Sequence, residues 1–126
     1  MRQAAIPILT NADMSSDIES IGLDINQSFS WSIQAVWTGE PTGSFAIQIS
    51  NDIVPVAASG AYPIGSNPGA NVINWTTYSN SILDVVADDG NWTWVAQLPP
   101  YRWIRLIYLA DEGSGTVNAT AFLKGA

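Results

Sequence analysis

The chain has 126 residues, a net charge of -7 and no histidine or cysteine, and its length suits one domain with a buried core. Eleven acidic residues stand against four basic ones, which leaves no basic stripe to neutralise phosphates, so nucleic acid and anionic membranes are excluded as expected partners. The missing histidine and cysteine exclude thiolate metal sites and Ser-His-Asp or Cys-His catalysis.

Residues 1–17 form a segment with two possible roles. Ile6 and Ile8 flank Pro7, which has no amide donor and therefore confines the segment to the edge of a sheet. A polar, turn-prone stretch separates it from residues 18–126, which we expect to form the main domain. An apolar edge strand pairs either within its own domain or, as an arm, with a neighbouring subunit. Both interpretations stay open.

Alternation of apolar and polar residues is clearest between residues 28 and 37. One face carries large apolar groups and the other carries serine and glutamine, which predicts a half-buried strand. The inward residues are Phe29, Trp31, Ile33, Ala35 and Trp37. The same pattern at 44–50 predicts a second strand, and the intervening TGEPTG supplies turn residues. We therefore expect these two strands to pair as an antiparallel hairpin.

Shorter apolar runs predict six further strands, and no window shows the spacing of an amphipathic helix. The predicted strands are 4–10, 18–25, 72–77, 91–95, 102–110 and 116–123. Residues 79–87 fit either a short strand or one helical turn. About eight short strands separated by Gly, Pro and Asn favour an all-β, antiparallel β-sandwich with jelly-roll topology.

Residues 51–70 contain three prolines and three glycines and are expected to form a long surface loop, a type of segment that often carries function. The six tryptophans of the chain are expected to lie mostly in the core, because their neighbours alternate with aliphatic residues. Trp75, which follows the loop, is the expected exception. Together with Tyr62 and Tyr78 it provides aromatic rings that could stack on sugars.

Residues 102–110 carry large apolar groups on both faces, which predicts a central strand. Arg102 and Arg105 lie within this strand, and a buried arginine is costly unless it is paired, so we expect a structural ion pair. The expected partners are Asp84, Asp111 and Glu112. The glycine-rich residues 113–115 are expected to turn the chain back into 116–123 as a hairpin.

Carboxylate pairs, of the kind that glycosidases use, are the catalytic chemistry that this composition still allows. The candidate acids lie in turn-like, glycine-adjacent contexts where solvated carboxylates are ordinary: Asp84, Asp88, Asp89, Asp111 and Glu112. The run from Asp88 to Asn91 lacks the ligand order of an EF-hand loop and favours a tight turn. We therefore expect no enzymatic activity, no cofactor and no metal site.

Residues 28–126 resemble small β-rich proteins of bacteriophage genomes in a set of short motifs. The matching residues are Ser50-Asn51-Asp52, Asn74-Trp75-Thr76, the YRWIRLIY run from Tyr101 to Tyr108, Gly113-Ser114-Gly115-Thr116 and Lys124-Gly125. This resemblance implies a virion component without enzymatic activity, of the capsid decoration, spike or tail-associated type. The arginine-rich strand is also similar to the core of discoidin-type sandwiches, which bind sugars or lipids.

The expected function is that of a non-enzymatic bacteriophage structural protein located in the virion, as a capsid decoration or spike protein on the particle exterior. Its expected partners are further copies of itself, with a trimer suggested by analogy, and other virion proteins such as the major capsid protein. The alternative is a carbohydrate-binding module whose exposed aromatic residues bind host-surface glycans.

Overall fold

The computed structural model describes residues 3–25, 28–53, 67–97 and 99–125. Within them the chain forms ten strands and one turn of 3-10 helix at Ser79–Ser81. The strands are β1 (Gln3–Asp13), β2 (Ile18–Glu19), β3 (Leu23–Asp24), β4 (Ser28–Gly39), β5 (Thr42–Ser50), β6 (Thr76–Thr77), β7 (Leu83–Val86), β8 (Gly90–Gln97), β9 (Trp103–Glu112) and β10 (Gly115–Gly125). No helix of the described residues has the length and apolar character needed to cross a membrane.

The strands form two antiparallel sheets. Sheet A has the order β1-β10-β4-β8. Sheet B has β9 and β5 at its centre, with β2 and β3 along the far side of β9, and β6 and β7 along the far side of β5. Strands β2 and β3 can be counted as one interrupted strand, and β6 and β7 as another. Each strand is then followed in the chain by a strand of the opposite sheet, except that β5 is followed by β6 of the same sheet. The predicted all-β, antiparallel sandwich is confirmed.

The core fills the space between the sheets with most of the residues that alternation predicted to face inward. The prediction is wrong for Phe29, which is 43% exposed because it lies at the start of β4. Phe45 of β5 is fully buried and lies at the centre of an aromatic group. Its ring centroid is 5.1 Å from that of Trp37, 5.9 Å from that of Trp94 and 4.8 Å from that of Tyr108. The two tryptophans belong to sheet A and the tyrosine belongs to sheet B. These ring contacts therefore join the sheets across the core.

Both predicted hairpins are wrong. The strand at 28–37 belongs to sheet A and the strand at 44–50 to sheet B, and likewise β9 and β10 lie in opposite sheets. Each short connection is therefore an arch that carries the chain across the sandwich. Glycine and proline are common to arches and hairpins, so the turn residues did not distinguish between them.

The two arches pack against each other, which explains their glycines. Gly39 and Gly113 have φ angles of 97° and 81°, in the left-handed region that glycine occupies without strain. A Cβ atom on Gly113 would collide with the carbonyl oxygen of Glu40. The Glu40 amide donates to the carbonyl of Ser114 across the contact, at 2.9 Å. This close packing of backbones fixes where the chain changes sheets.

Strand β1 pairs with β10 of the same chain, from Gln3 opposite Lys124 onward. Ile6 and Ile8 are buried, whereas Pro7 between them points to solvent. In this structure the segment pairs as an edge strand within its own chain, and Ile6 and Ile8 lie in the core of that chain. The role of an intersubunit arm stays a prediction.

The predicted strand at 18–25 is interrupted between β2 and β3. Ser20, in the gap, is buried. Its amide donates to the carbonyl of Leu106 at 2.8 Å, and its hydroxyl accepts from the amide of Leu106 at 2.9 Å. This side-chain hydrogen bond replaces one backbone hydrogen bond of the pairing with β9, which is why the strand is interrupted there. The predicted strand at 72–77 is shorter than expected and is reduced to β6.

Candidate interaction site

Arg105 is the centre of a polar cluster on the outer face of sheet B. Its Nη1 donates to Oε2 of Glu19 at 2.6 Å and its Nε donates to Oε1 of Gln48 at 2.8 Å. The guanidinium carbon lies 4.5 Å from the centroid of the Trp75 ring. We call these four residues the Arg105 cluster. It joins β9 to β2, to β5 and to the segment that precedes β6.

Trp75 is half-buried and holds its place through three contacts. One face of its ring packs on Arg105, and its Nε1 donates to the carbonyl of Val72 at 3.1 Å. The ring edge lies so close to Gly22 that a Cβ atom there would be 3.2 Å from Cζ2 of the indole. The ring therefore covers part of the outer face of sheet B, and Arg105 occupies one face of the ring.

Asp52 fastens the segment that carries Trp75. Its carboxylate accepts from the amides of Ile73 and Asn74, at 2.8 and 2.9 Å, and from Nδ2 of Asn74 at 2.8 Å. These donors, with the Asn74 amide first, hold the pKa of Asp52 below its usual value. The carbonyl of Asp52 accepts from Nε1 of Trp103 at 3.0 Å. Trp103 is fully buried on the outer face of sheet B, so this segment forms a second layer over that sheet.

The arginines contact acidic residues other than the expected ones. Arg105 contacts Glu19, and Nη2 of Arg102 lies 3.5 Å from Oδ2 of Asp24. The choice of Asp84, Asp111 and Glu112 was therefore wrong. The reason is the register of sheet B, in which Glu19 lies opposite Ile107 and Asp24 lies opposite Trp103. By contrast, Asp84 lies beyond β5, opposite Ser44.

The structure describes two of the three aromatic residues proposed for sugar stacking, Trp75 and Tyr78. Tyr62 lies outside the described residues, and Tyr78 is 40% exposed beside β6. The prediction that most tryptophans are buried is confirmed, since Trp31, Trp37, Trp94 and Trp103 are at most 7% exposed. The most exposed tryptophan is Trp92, at 51%, rather than Trp75. Trp92 lies on the same face of β8 as the buried Trp94, but nearer the end of the strand. Because β8 is an edge strand, alternation alone does not predict how exposed its residues are.

The outer face of sheet A is almost without charge. Its four strands contain one acidic residue, Asp13, at the end of β1, and one basic residue, Lys124. Every other acidic residue of the chain lies in sheet B or in the connections between strands. Rows of uncharged side chains cross the sheet, such as Pro7-Thr120-Gln34-Thr93 and Ala5-Phe122-Ser32-Val95. Val36, Val95 and Phe122 are between 40% and 66% exposed on this face.

Within the described residues no group of three acidic side chains is placed to hold a metal ion. A shallow depression of about 460 Å³ lies over the junction of β5, β7 and β9, and Asp84 and Asp111 are among its lining residues. Because it is wide open to solvent, it would cover only a small part of a ligand, unlike the enclosed clefts that bind small molecules.

No protein-family model matches the sequence, and no curated protein matches it. Among solved structures, the crystal structure of the SPBc2 prophage-derived protein YomS is 8% identical, with a TM-score of 0.51, over 96% of this chain and 93% of that one. The coat protein of Tobacco streak virus is 9% identical over 98% of this chain and 88% of that one, with a TM-score of 0.31. At this level of identity, the likeness to the prophage-derived protein shows a shared fold.

Proposed function

We propose that this protein is a non-enzymatic structural component of a bacteriophage virion, bound to the outside of the capsid as a decoration or spike protein. The observation that carries this proposal is the separation of charge between the two sides of the sandwich. The outer face of sheet A carries only Asp13 and Lys124 as charged residues across its four strands, whereas the other ten acidic residues are on sheet B and the connections.

This separation suits a protein that binds an assembly through one side and faces solvent with the other. Depletion of charged residues is the compositional signal of an interface core. An uncharged face loses water at lower cost than a face with unpaired carboxylates. The acidic side, in turn, would keep the particle soluble and discourage association between particles. In this proposal sheet A faces the major capsid protein and sheet B faces solvent.

The strand order supports a jelly roll, which viral capsid proteins often adopt. Counted with β2-β3 and β6-β7 as interrupted strands, the described residues form eight strands in two sheets of four, with orders β1-β10-β4-β8 and β2/β3-β9-β5-β6/β7. The shared fold with a prophage-derived protein is consistent with a phage origin but does not identify a function.

Mass spectrometry of purified phage particles tests the proposal. We expect the chain to be present at a fixed ratio to the major capsid protein, and its absence from particles would contradict the proposal.

Two matched substitutions test the binding face. Thr120→Asp places a charge on the outer face of sheet A, whereas Thr76→Asp places one on the exposed edge of sheet B. We expect only Thr120→Asp to abolish binding to particles that lack the chain.

Glycan binding has less support from the geometry, because Arg105 occupies one face of the Trp75 ring. Tyr78 remains an exposed ring next to β6. A glycan array would favour this alternative if it showed binding that Trp75→Ala or Tyr78→Ala removed while the circular dichroism spectrum stayed unchanged.

A further inference from the structure

Sheet A ends in two edge strands of very different character. In β1, Pro7 removes an amide donor, the register with β10 shifts on either side of Leu9, and Asn11 has a φ of 47°. Proline and bulges of this kind prevent an edge strand from pairing with another chain. The β1 edge is therefore protected.

Strand β8 has none of these protections. It reads GNWTWVAQ, without proline or charge, and it keeps a regular register with β4 from Gly90 opposite Trp37 to Gln97 opposite Ser30. Within the described residues, β4 is its only ladder partner. Alternate residues of such a strand point their backbone N–H and C=O groups away from the sheet. Trp92 and Val95 are also 51% and 66% exposed there.

We propose that β8 is a strand-addition site and that its partner is β8 of a second copy of this chain, paired antiparallel about a twofold axis perpendicular to the sheet. The two copies of sheet A then form one continuous eight-stranded sheet, with their nearly uncharged outer faces on the same side. This proposal does not depend on the proposed virion function, because it concerns self-association of the purified chain.

The position of the acidic residues favours the antiparallel arrangement of two copies over the parallel one. Asp88 and Asp89 immediately precede β8, so parallel pairing would place the acidic residues of the two copies side by side. An antiparallel pair centred on Thr93 places Asp89 opposite the neutral Gln97 of the second copy. A copy that carries -7 overall meets least repulsion at an edge without charge. A basic partner, in contrast, would be attracted to the acidic residues of sheet B and the connections.

The proposal predicts which charges disrupt association and which restore it. Thr93 is exposed on β8, and Thr120 lies on the same face and in the same cross-strand row, but on the interior strand β10. The twofold axis brings Thr93 of one copy close to Thr93 of the other. Thr93→Asp and Thr93→Lys should therefore each weaken the dimer at least about tenfold through like-charge repulsion. A mixture of these two variants should regain the dimer. Thr120→Asp should leave it unchanged, since it adds charge to the face but not to the edge.

Sedimentation velocity on the full chain, from about 1 to 500 µM, measures these effects, and circular dichroism checks that each variant is folded. In the unsubstituted chain, hydrogen exchange of the amides at 90–97 should slow as concentration rises, while exchange at 3–13 stays constant. A monomer throughout this range overturns the proposal. A dimer that Thr120→Asp abolishes and Thr93→Asp leaves intact also overturns it, because the contact would then be face to face. Absence of the chain from virions would contradict only the proposed function.

Discussion

Replacement of Arg105 by alanine removes the three contacts of the Arg105 cluster at once. The hydrogen bond from a charged group to Gln48 contributes about 1.5 to 3 kcal/mol, and the contact with the Trp75 ring about 1 kcal/mol. The pair with Glu19 adds little, because the Glu19 side chain is 64% exposed and exposed ion pairs contribute about 0.2 to 1 kcal/mol. Since neighbouring contacts are not additive, we expect a loss of about 3 kcal/mol in the free energy of unfolding.

Urea unfolding monitored by tryptophan fluorescence measures this loss. Glu19→Gln is the matched control, since it removes the ion pair alone, and we expect it to cost under about 1 kcal/mol. In a double-mutant cycle of Arg105→Ala with Trp75→Phe, the double variant should lose less free energy of unfolding than the sum of the two single variants, because both residues belong to one stacked pair. The reasoning is refuted if Glu19→Gln costs as much as Arg105→Ala, or if Arg105→Ala costs less than about 1 kcal/mol.

Three further predictions concern stability. Tyr108→Phe should leave the free energy of unfolding unchanged or raise it by about 1 kcal/mol, because no described residue pairs with the buried hydroxyl; a clear loss in urea unfolding would show a partner. Gly113→Ala should lower the melting temperature by several degrees, since its φ is 81° and a Cβ atom would meet Glu40; an unchanged temperature would disprove the packed arches. The folded-state pKa of Asp52 is depressed by its Asn74 and Ile73 donors, so its contribution is present above the unfolded pKa and is lost as pH falls below the unfolded value of about 4. Asp52→Asn should therefore have a flatter profile of melting temperature against pH over that range, and a profile parallel to that of the unsubstituted chain would contradict this assignment.

Local pattern predicted the strands but not their partners. Alternation depends on the period of the strand itself, so the inward positions of Trp31, Ile33, Ala35 and Trp37 could be predicted directly from the sequence, whereas Phe29, at the start of the strand, is exposed. Which sheet a strand joins depends on contacts between distant parts of the chain. The arch after Gly39 is the clearest case, because it requires the second arch, at Gly113, against which it packs.

The ion pairs show the same limit. A buried arginine predicts that some acid lies nearby, but the acid that contacts Arg105 is 86 residues away in sequence. The pairing of β2 with β9 brings it there, and β2 is only two residues long. The exposure of Trp92 was missed for a related reason, since an alternating pattern does not tell an edge strand from a central one.

A density map of the intact phage particle, from electron cryomicroscopy, tests the central claim most directly. We expect density for this β-sandwich on the outside of the capsid, with sheet A against the major capsid protein and the acidic side toward solvent. A map at side-chain resolution whose capsid exterior contains no density for this chain would contradict it.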